Sequence, residues 1–262
     1  MKNILSIIDT FTSTEFSGNP AAVYHMKEDK TQFWMQKFAA EMNLSETAFL
    51  KKKTDNYWFL KWFTPVAEVE LCGHATLASA HYLWSQELVS INDVIKFETK
   101  SGILECKTDN KYIYMYFPLI ETKNIYHLNN LDKYLGNKPE YIKKSKWDLI
   151  AIFNNHNDII NLDPKFNELK QFSSRGVIVT SPGNEKYNFF ARFFAPNLRV
   201  NEDYVTGSIY CSLAPYWSER LGLKNMIAYQ ASERPGIIDL KVYKDKVRIG
   251  GKAKTITIGK SI

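Results

Sequence analysis

The chain has 262 residues, of which 45% are hydrophobic and 14% aromatic. That composition is ample for a large buried core and excludes a disordered chain. The formal net charge is +6, but the basic residues are scattered or form short lysine runs, without the arginine-rich pattern of a nucleic-acid surface. We therefore expect no nucleic-acid partner, and the length favours two domains.

The beginning of the chain and its cysteines bear on the compartment. Residues 1–9 contain an apolar stretch that is too short and too interrupted for a signal peptide. No segment approaches the roughly 20 apolar residues that a membrane span needs. The three cysteines, Cys72, Cys106 and Cys211, include no Cys-x-x-Cys pair, which suits reduced thiols and argues against a cysteine-based zinc site. We expect a cytoplasmic protein without a membrane partner or a metal.

In chain order, the first half begins with an aromatic strand at residues 57–63, which ends near Pro65. A helix is predicted from Gly73 to about residue 87, and its residues are small or apolar almost all round, as is typical of a buried central helix. Strands are predicted at 94–99, 103–107 and 112–117, the last with clear alternation. The polar segment 124–167 is predicted to form surface helices and loops of the second half.

The second half repeats this order. Gly73 and Gly207 are 134 residues apart, and a helix from Gly207 to about residue 221 is predicted to follow a strand at 187–194. Further strands are predicted at 226–230, 237–242 and 247–249. The same offset joins six more pairs: Ala80 and Ala214, Tyr82 and Tyr216, Gly102 and Gly236, Ile103 and Ile237, Glu105 and Asp239, and Lys107 and Lys241.

This constant offset predicts an internal duplication; two unrelated α/β segments that share turn residues are the alternative. The predicted fold class is α+β, with two pseudo-symmetric halves that each wrap a curved mixed sheet around a central helix. The predicted halves are residues 1–118 and 119–262, and a final strand near 255–262 could return to the first half.

Two pseudo-symmetric halves are expected to bind their ligand at the seam, with the N-termini of both central helices pointing into it. The free backbone N–H groups at Gly73 and Gly207 suit a carboxylate or enolate oxygen. Glycine at each helix start also allows a ligand to approach the backbone closely. The alternative is that both glycines only form tight turns.

Glu46 is the candidate general acid–base, because it lies where a predicted helix gives way to an apolar strand and partial burial there suits proton transfer. Upstream of the two glycines, residues 62–65 resemble residues 193–196 at an offset of 131, and at this offset the counterpart of Glu46 is Val177. The carboxylate therefore belongs to one half only. His74 follows Gly73, where the helix dipole disfavours the charged imidazole and predicts a neutral hydrogen-bond donor. A turn-capping glutamate and a packing histidine are the alternatives.

The second half offers two further candidates near its helix start. Ser208 lies opposite His74 in the repeat, at the offset of 134. Asp203 precedes the helix and either faces the site or caps the helix. Gly-rich phosphate loops, Gly-x-Ser-x-Gly and His-x-x-x-His motifs are absent from the sequence, so nucleotide-binding, serine-hydrolase and zincin functions lose their main support.

The motifs taken together resemble the PhzF-like family of phenazine-biosynthesis isomerases, which has the diaminopimelate epimerase-like fold. The resemblance covers nearly the whole chain. It rests on Asp9-Thr10-Phe11-Thr12, Phe16-Ser17-Gly18-Asn19-Pro20-Ala21-Ala22-Val23, Asn43-Leu44-Ser45-Glu46-Thr47-Ala48-Phe49, Phe63-Thr64-Pro65, Glu68-Val69-Glu70-Leu71-Cys72-Gly73-His74-Ala75-Thr76 and Glu202-Asp203-Tyr204-Val205-Thr206-Gly207-Ser208.

This resemblance implies an isomerase, often a homodimer, that moves a proton between carbons of a small carboxylate-bearing substrate without cofactor or metal. The substrate of the family's isomerase is a cyclic dihydro-hydroxyanthranilate. The resemblance implies that Glu46 is the catalytic glutamate and that His74, Asp203 and Ser208 support it. It also implies that the substrate is bound by Asn19, Gly73, Ala75 and Gly207.

The sequence departs from the family's usual pattern at Tyr204, Ile209-Tyr210 and Pro235, which we expect to alter the shape and polarity of the pocket. Two other functions stay open. A two-thiol epimerase or racemase would need a cysteine from each half, but Thr206, not Cys211, is the counterpart of Cys72 at the offset of 134. A non-enzymatic binding protein on the same fold is the other alternative.

Overall fold

The computed structural model describes residues 3–126, 128–173 and 175–261. The chain divides into two compact units. The first unit runs as far as Tyr116 and includes the segment that starts at Gly250, and the second unit is Phe117–Ile249. Within the described ranges, no helix is both long enough and apolar enough to cross a membrane.

The first unit contains a mixed sheet and two helices. α2 packs against β1, β2 and β3, and most of its residues are buried on all sides, as its apolar sequence predicts. The predicted strand at 57–63 is observed with these bounds. The elements are β1 (Asn3–Thr10), β2 (Asn19–His25), α1 (Gln32–Met42), β3 (Glu46–Lys52), β4 (Tyr57–Phe63), β5 (Glu68–Val69), α2 (Gly73–Ser85), β6 (Ile95–Thr99), β7 (Gly102–Thr108) and β8 (Ile113–Pro118).

The remaining elements belong to the second unit, except the last strand, which pairs antiparallel with β1 in the first unit. A short 3-10 turn, Gly207–Ile209, leads into the second central helix. The elements are β9 (Lys123–Ile125), α3 (Leu131–Leu135), β10 (Tyr141–Lys144), β11 (Asp148–Ile152), α4 (His156–Ile160), α5 (Phe166–Leu169), β12 (Gly176–Pro182), β13 (Phe189–Ala195), β14 (Val200–Asp203), α6 (Tyr210–Leu221), β15 (Asn225–Gln230), β16 (Gly236–Val242), β17 (Lys246–Gly251) and β18 (Ala253–Ser261).

Both units use the same order of strand pairing. In the first unit, β2 and β3 are parallel, β3 and β4 antiparallel, β4 and β6 parallel, and β6 and β7 antiparallel. In the second unit, β11 and β12 are parallel, β12 and β13 antiparallel, β13 and β15 parallel, and β15 and β16 antiparallel. The two units therefore repeat one topology, as the duplication predicts.

The strand register corrects one residue of the predicted repeat. Phe63 and Phe194 correspond at the offset of 131, and they pair with Thr47 and Val177 respectively. Since Thr47 corresponds to Val177, Glu46 corresponds to Gly176 and not to Val177. The linear offset missed this because the connection between the paired strands is one residue longer in the second unit.

The segment 124–167 is more than the predicted surface helices and loops. It contains β11, which is buried along its whole length and contributes Leu149 and Ala151 to the core of the second unit, together with Phe153 just beyond it. A parallel strand with both faces covered has a continuous apolar sequence without alternation. The surrounding Asn and Lys residues obscured that short run in the sequence.

Candidate functional site

Glu46 is the first residue of β3. The chain reaches it through Asn43, which ends α1 in the left-handed conformation with a φ of 49°, a position that asparagine tolerates well. Glu46 is next to Ala21 of β2 in the parallel pairing. Its side chain is 18% exposed, so the carboxylate is partly buried and still accessible.

Glu46 and His74 are in contact. The Glu46 Oε2 atom lies 3.0 Å from the His74 Nε2 atom, and the His74 side chain is only 6% exposed. At this distance the ring N–H does not meet the angle of a good hydrogen bond, and no other partner for Nε2 is found among the residues that the structure describes. The two side chains are therefore close enough to form an ion pair when His74 is protonated.

Two more side chains surround the other nitrogen of His74. Its Nδ1 atom lies 3.5 Å from the Asn19 Nδ2 atom and 3.5 Å from the Cys72 Sγ atom. Asn19 and Cys72 are both buried. The first unit therefore brings together the predicted residues Asn19, Glu46 and His74, and adds Cys72.

The electrostatics of this cluster differ from the predicted neutral His74. Burial by itself lowers the pKa of His74, but the neighbouring Cys72 and Glu46 side chains, through charge and hydrogen bonding, hold that pKa well above its usual value. Burial, reinforced by the Glu46 charge, raises the pKa of the Cys72 thiol. Cys72 and Glu46 therefore favour the protonated form of His74 and oppose the dipole at the start of α2.

Cys72 and Gly73 form the start of α2. Cys72 is the N-cap residue and makes no side-chain capping bond, and Gly73 is the first helical residue. Ala75 follows in the first turn of α2 and is fully buried. The first turn of α2 therefore contains Gly73 and Ala75, two of the residues that the resemblance implies bind the substrate.

The same cluster offers ligand atoms for a metal ion. Glu46, Cys72 and His74 present one oxygen, one sulfur and one nitrogen atom that lie within 4.8 Å of one another. Such a mixed set suits a borderline-soft divalent ion. The sequence predicts no metal at this cluster, and proton transfer through Glu46 does not require a metal ion.

In the second unit, Gln230 organises the segment that contains Asp203. The Gln230 Oε1 atom accepts hydrogen bonds from the Thr206 backbone N–H at 3.0 Å and from the Tyr210 hydroxyl at 3.2 Å. Its Nε2 atom donates to the Asp203 carbonyl oxygen at 3.1 Å. The Thr206 hydroxyl donates to the Asp203 carboxylate at 2.5 Å. Asp203 is therefore held by a buried polar network.

Tyr210 has a different role from the expected one. The departure from the family pattern at this position predicted a change in pocket shape, but Tyr210 is fully buried and its hydroxyl is bonded to Gln230. It belongs to the core that supports residues 203–206. A buried tyrosine needs a partner for its hydroxyl, and Gln230 is that partner.

Ser208 lies in the 3-10 turn that begins at the buried Gly207, and it contacts a residue that the sequence analysis did not single out. The Arg175 Nη1 group donates a hydrogen bond to the Ser208 Oγ atom at 2.8 Å. The other side of the Arg175 guanidinium pairs with the buried Asp148 carboxylate, with 2.7 Å between Nε and Oδ1. The sequence holds no motif signal for Arg175, because its partner Ser208 lies 33 positions further along the chain.

The comparisons with known proteins agree with this architecture. The model of the phenazine biosynthesis-like protein family, PhzC-PhzF, matches residues 8–259. A protein named as an uncharacterised isomerase from Halalkalibacterium halodurans is 44% identical, and the match covers 98% of this chain and 97% of the relative. The crystal structure of a PhzF-family phenazine biosynthesis protein from Enterococcus faecalis superposes with a TM-score of 0.96 at 38% identity, over 100% of both chains.

A more distant structure shows the fold alone. A predicted epimerase from Pseudomonas aeruginosa superposes with a TM-score of 0.75 at 16% identity, over 100% of this chain and 99% of the other. Fold and relatives together define an isomerase on the α+β diaminopimelate epimerase-like fold. The chain belongs to the PhzC-PhzF family.

Proposed function

We propose that this chain is a cofactor-independent isomerase in which Glu46 moves a proton between carbons of a small carboxylate-bearing substrate. The reaction would be similar to that of trans-2,3-dihydro-3-hydroxyanthranilate isomerase. The observation that carries the proposal is the contact of 3.0 Å between Glu46 Oε2 and His74 Nε2. It places a partly accessible carboxylate against a buried imidazole.

Glu46 and His74 would have different roles in the reaction. Glu46 takes a proton from one carbon of the substrate and returns it to another, so no proton is gained or lost overall. The adjacent His74, whose pKa is raised, stabilises in its protonated form the negative charge that develops on the substrate while the proton is on Glu46.

The remaining predicted residues would bind the substrate. We propose that Asp203 and Ser208 contact its polar groups, and that the backbone at Gly73 and Gly207 receives its carboxylate. The network from Gln230 to Asp203 supports this role, because a fixed carboxylate loses little freedom on binding.

Incubation with trans-2,3-dihydro-3-hydroxyanthranilate in D2O tests the proposal. The product should carry deuterium at the carbon that gains the proton, as measured by proton NMR and mass spectrometry. Unchanged starting material, or a product without deuterium at any carbon, would count against Glu46 as a solvent-exchanging proton carrier for this substrate.

The two-thiol epimerase is the weaker candidate. Thr206 stands at the predicted counterpart of Cys72, and its hydroxyl is bonded to Asp203. Burial raises the pKa of Cys211 to about 12, so this thiol is a poor base at neutral pH. These observations favour Glu46 over a pair of thiolates.

A further inference from the structure

Arg175 and Ser208 form the counterpart, in the second unit, of the Glu46 and His74 pair. Gly176 corresponds to Glu46 by strand register, and Arg175 directly precedes it. Ser208 corresponds to His74 at the helix start. In both units, a charged side chain at the beginning of one strand thus contacts a polar side chain at the beginning of the central helix. The charge is negative in the first unit and positive in the second.

Arg175 is held rigidly. Its Nε atom lies 2.7 Å from Asp148 Oδ1, and its Nη2 group pairs with the second oxygen of the same carboxylate. Two parallel hydrogen bonds of this kind fix the plane of a guanidinium. The guanidinium carbon also lies 5.3 Å from the Trp147 ring centre and 5.4 Å from that of Phe193, and these contacts further restrict it.

The direction of the bond to Ser208 follows from chemistry. A guanidinium only donates hydrogen bonds, so the Ser208 Oγ atom must be the acceptor in its 2.8 Å contact with Arg175. The hydroxyl hydrogen of Ser208 therefore points elsewhere. For the part of the chain that the structure covers, no acceptor for this hydrogen is found. Ser208 therefore keeps its hydroxyl hydrogen as a donor for another acceptor, and the Arg175 cation polarises that donor.

We propose that Arg175, held by Asp148, positions the Ser208 hydroxyl as a hydrogen-bond donor to an anionic oxygen of the substrate, such as a carboxylate oxygen. This inference rests on the proposed function for the identity of the substrate. Arg175 acts through Ser208 and is a positioning residue, because its own contact is with the serine.

The first test measures the position of Ser208 and needs no substrate. Crystal structures of the wild type and of Arg175→Lys are compared, since lysine keeps the charge and loses the planar fork. The proposal expects the Ser208 side chain to leave its wild-type rotamer. An unchanged Ser208 rotamer in Arg175→Lys would overturn it.

The second test is a double-mutant cycle on ligand binding, with anthranilate as the probe and calorimetry as the measurement. Arg175→Lys and Ser208→Ala should each raise the Kd about 10- to 100-fold, the range for one hydrogen bond to a charged group. The double variant should bind no more weakly than the weaker of the single variants, because both changes remove one donor. If the increase in Kd of the double variant equals the product of the two single increases, Arg175 acts independently of Ser208 and the proposal is overturned.

Arg248→Lys is the matched control. Arg248 pairs with Asp239 at 2.6 Å and its side chain is 21% exposed, close to the 22% of Arg175. Arg248→Lys should leave the Kd unchanged.

If Arg175→Lys does not fold, the double substitution Asp148→Asn with Arg175→Gln removes both charges of the pair together and should displace Ser208 in the same way. A wild type that does not bind anthranilate would contradict the proposed substrate class, while the Ser208 rotamer still decides the role of Arg175.

Discussion

Gly176 occupies in the second unit the strand position that Glu46 occupies in the first. A Cβ atom at Gly176 would lie 2.5 Å from the Phe193 ring and 2.6 Å from the Phe194 carbonyl oxygen. The second unit therefore has no room for a side chain where the first has its candidate proton carrier. The asymmetry between the repeats is built into the packing.

Gly176→Ala should lower the free energy of unfolding by about 1 to 3 kcal/mol, the usual cost of overpacking. The cost is unavoidable because one of the clashing atoms belongs to the backbone. Urea unfolding measures it. Gly259→Ala is the control, since a Cβ there meets no atom within 4 Å. Equal stabilities of the two variants would contradict the steric explanation.

Glu46→Gln should lower kcat by about 100- to 10,000-fold while the fold is kept, because the amide cannot carry a proton. The pKa of His74 should fall in this variant, since the Glu46 carboxylate is one of the groups that raise it. Turnover, circular dichroism and histidine NMR titration are the measurements. Glu41→Gln, at an exposed position of α1, should change none of them. Full activity of Glu46→Gln on a confirmed substrate would refute the mechanism.

Cys72→Ser should keep at least about a tenth of the wild-type kcat, a smaller loss than removal of a general acid–base causes. The reason is that the raised pKa leaves the Cys72 thiol protonated at neutral pH. Steady-state kinetics measure the effect. Near-total loss of activity would instead support thiol-based epimerase chemistry.

The free energy of unfolding should decrease below pH 6.5 because of His25. Burial, aided by the charge of Lys27, lowers the pKa of His25 from 6.5 to about 4. Between these two values the unfolded chain binds a proton that the folded chain does not, so the free energy of unfolding decreases as the pH decreases. The total loss from this group is about 3 kcal/mol, at about 1.4 kcal/mol per unit of pKa.

His25→Gln should flatten this part of the profile, measured as the free energy of unfolding in urea at pH 7 and pH 4.5. The glutamine can still meet the Tyr82 hydroxyl, which lies 3.1 Å from His25 Nδ1, but it does not titrate. If the wild type and the variant lose the same stability over this interval, His25 is not the group responsible.

The sequence by itself determined the repeated elements and the candidate residues of the first unit. Motif order and the offset of 134 predict both central helices and the strands around them, because apolar periodicity and turn residues are local signals. The proximity of Glu46 to His74 was implied by the resemblance to the family. The homodimer and the identity of the substrate stay predictions.

Only the tertiary structure decided the surroundings of His74, the counterpart of Glu46 and the contacts of Arg175. The Glu46 carboxylate, which together with Cys72 raises the pKa of His74, lies 28 positions away in the chain and 3.0 Å away in space. Strand register identified Gly176 as the counterpart of Glu46. A connection that is one residue longer shifts this register and cannot be seen in a constant sequence offset. Arg175 meets Ser208 across 33 positions. Each of these facts is a contact between distant segments, and such contacts leave no periodic pattern in the sequence.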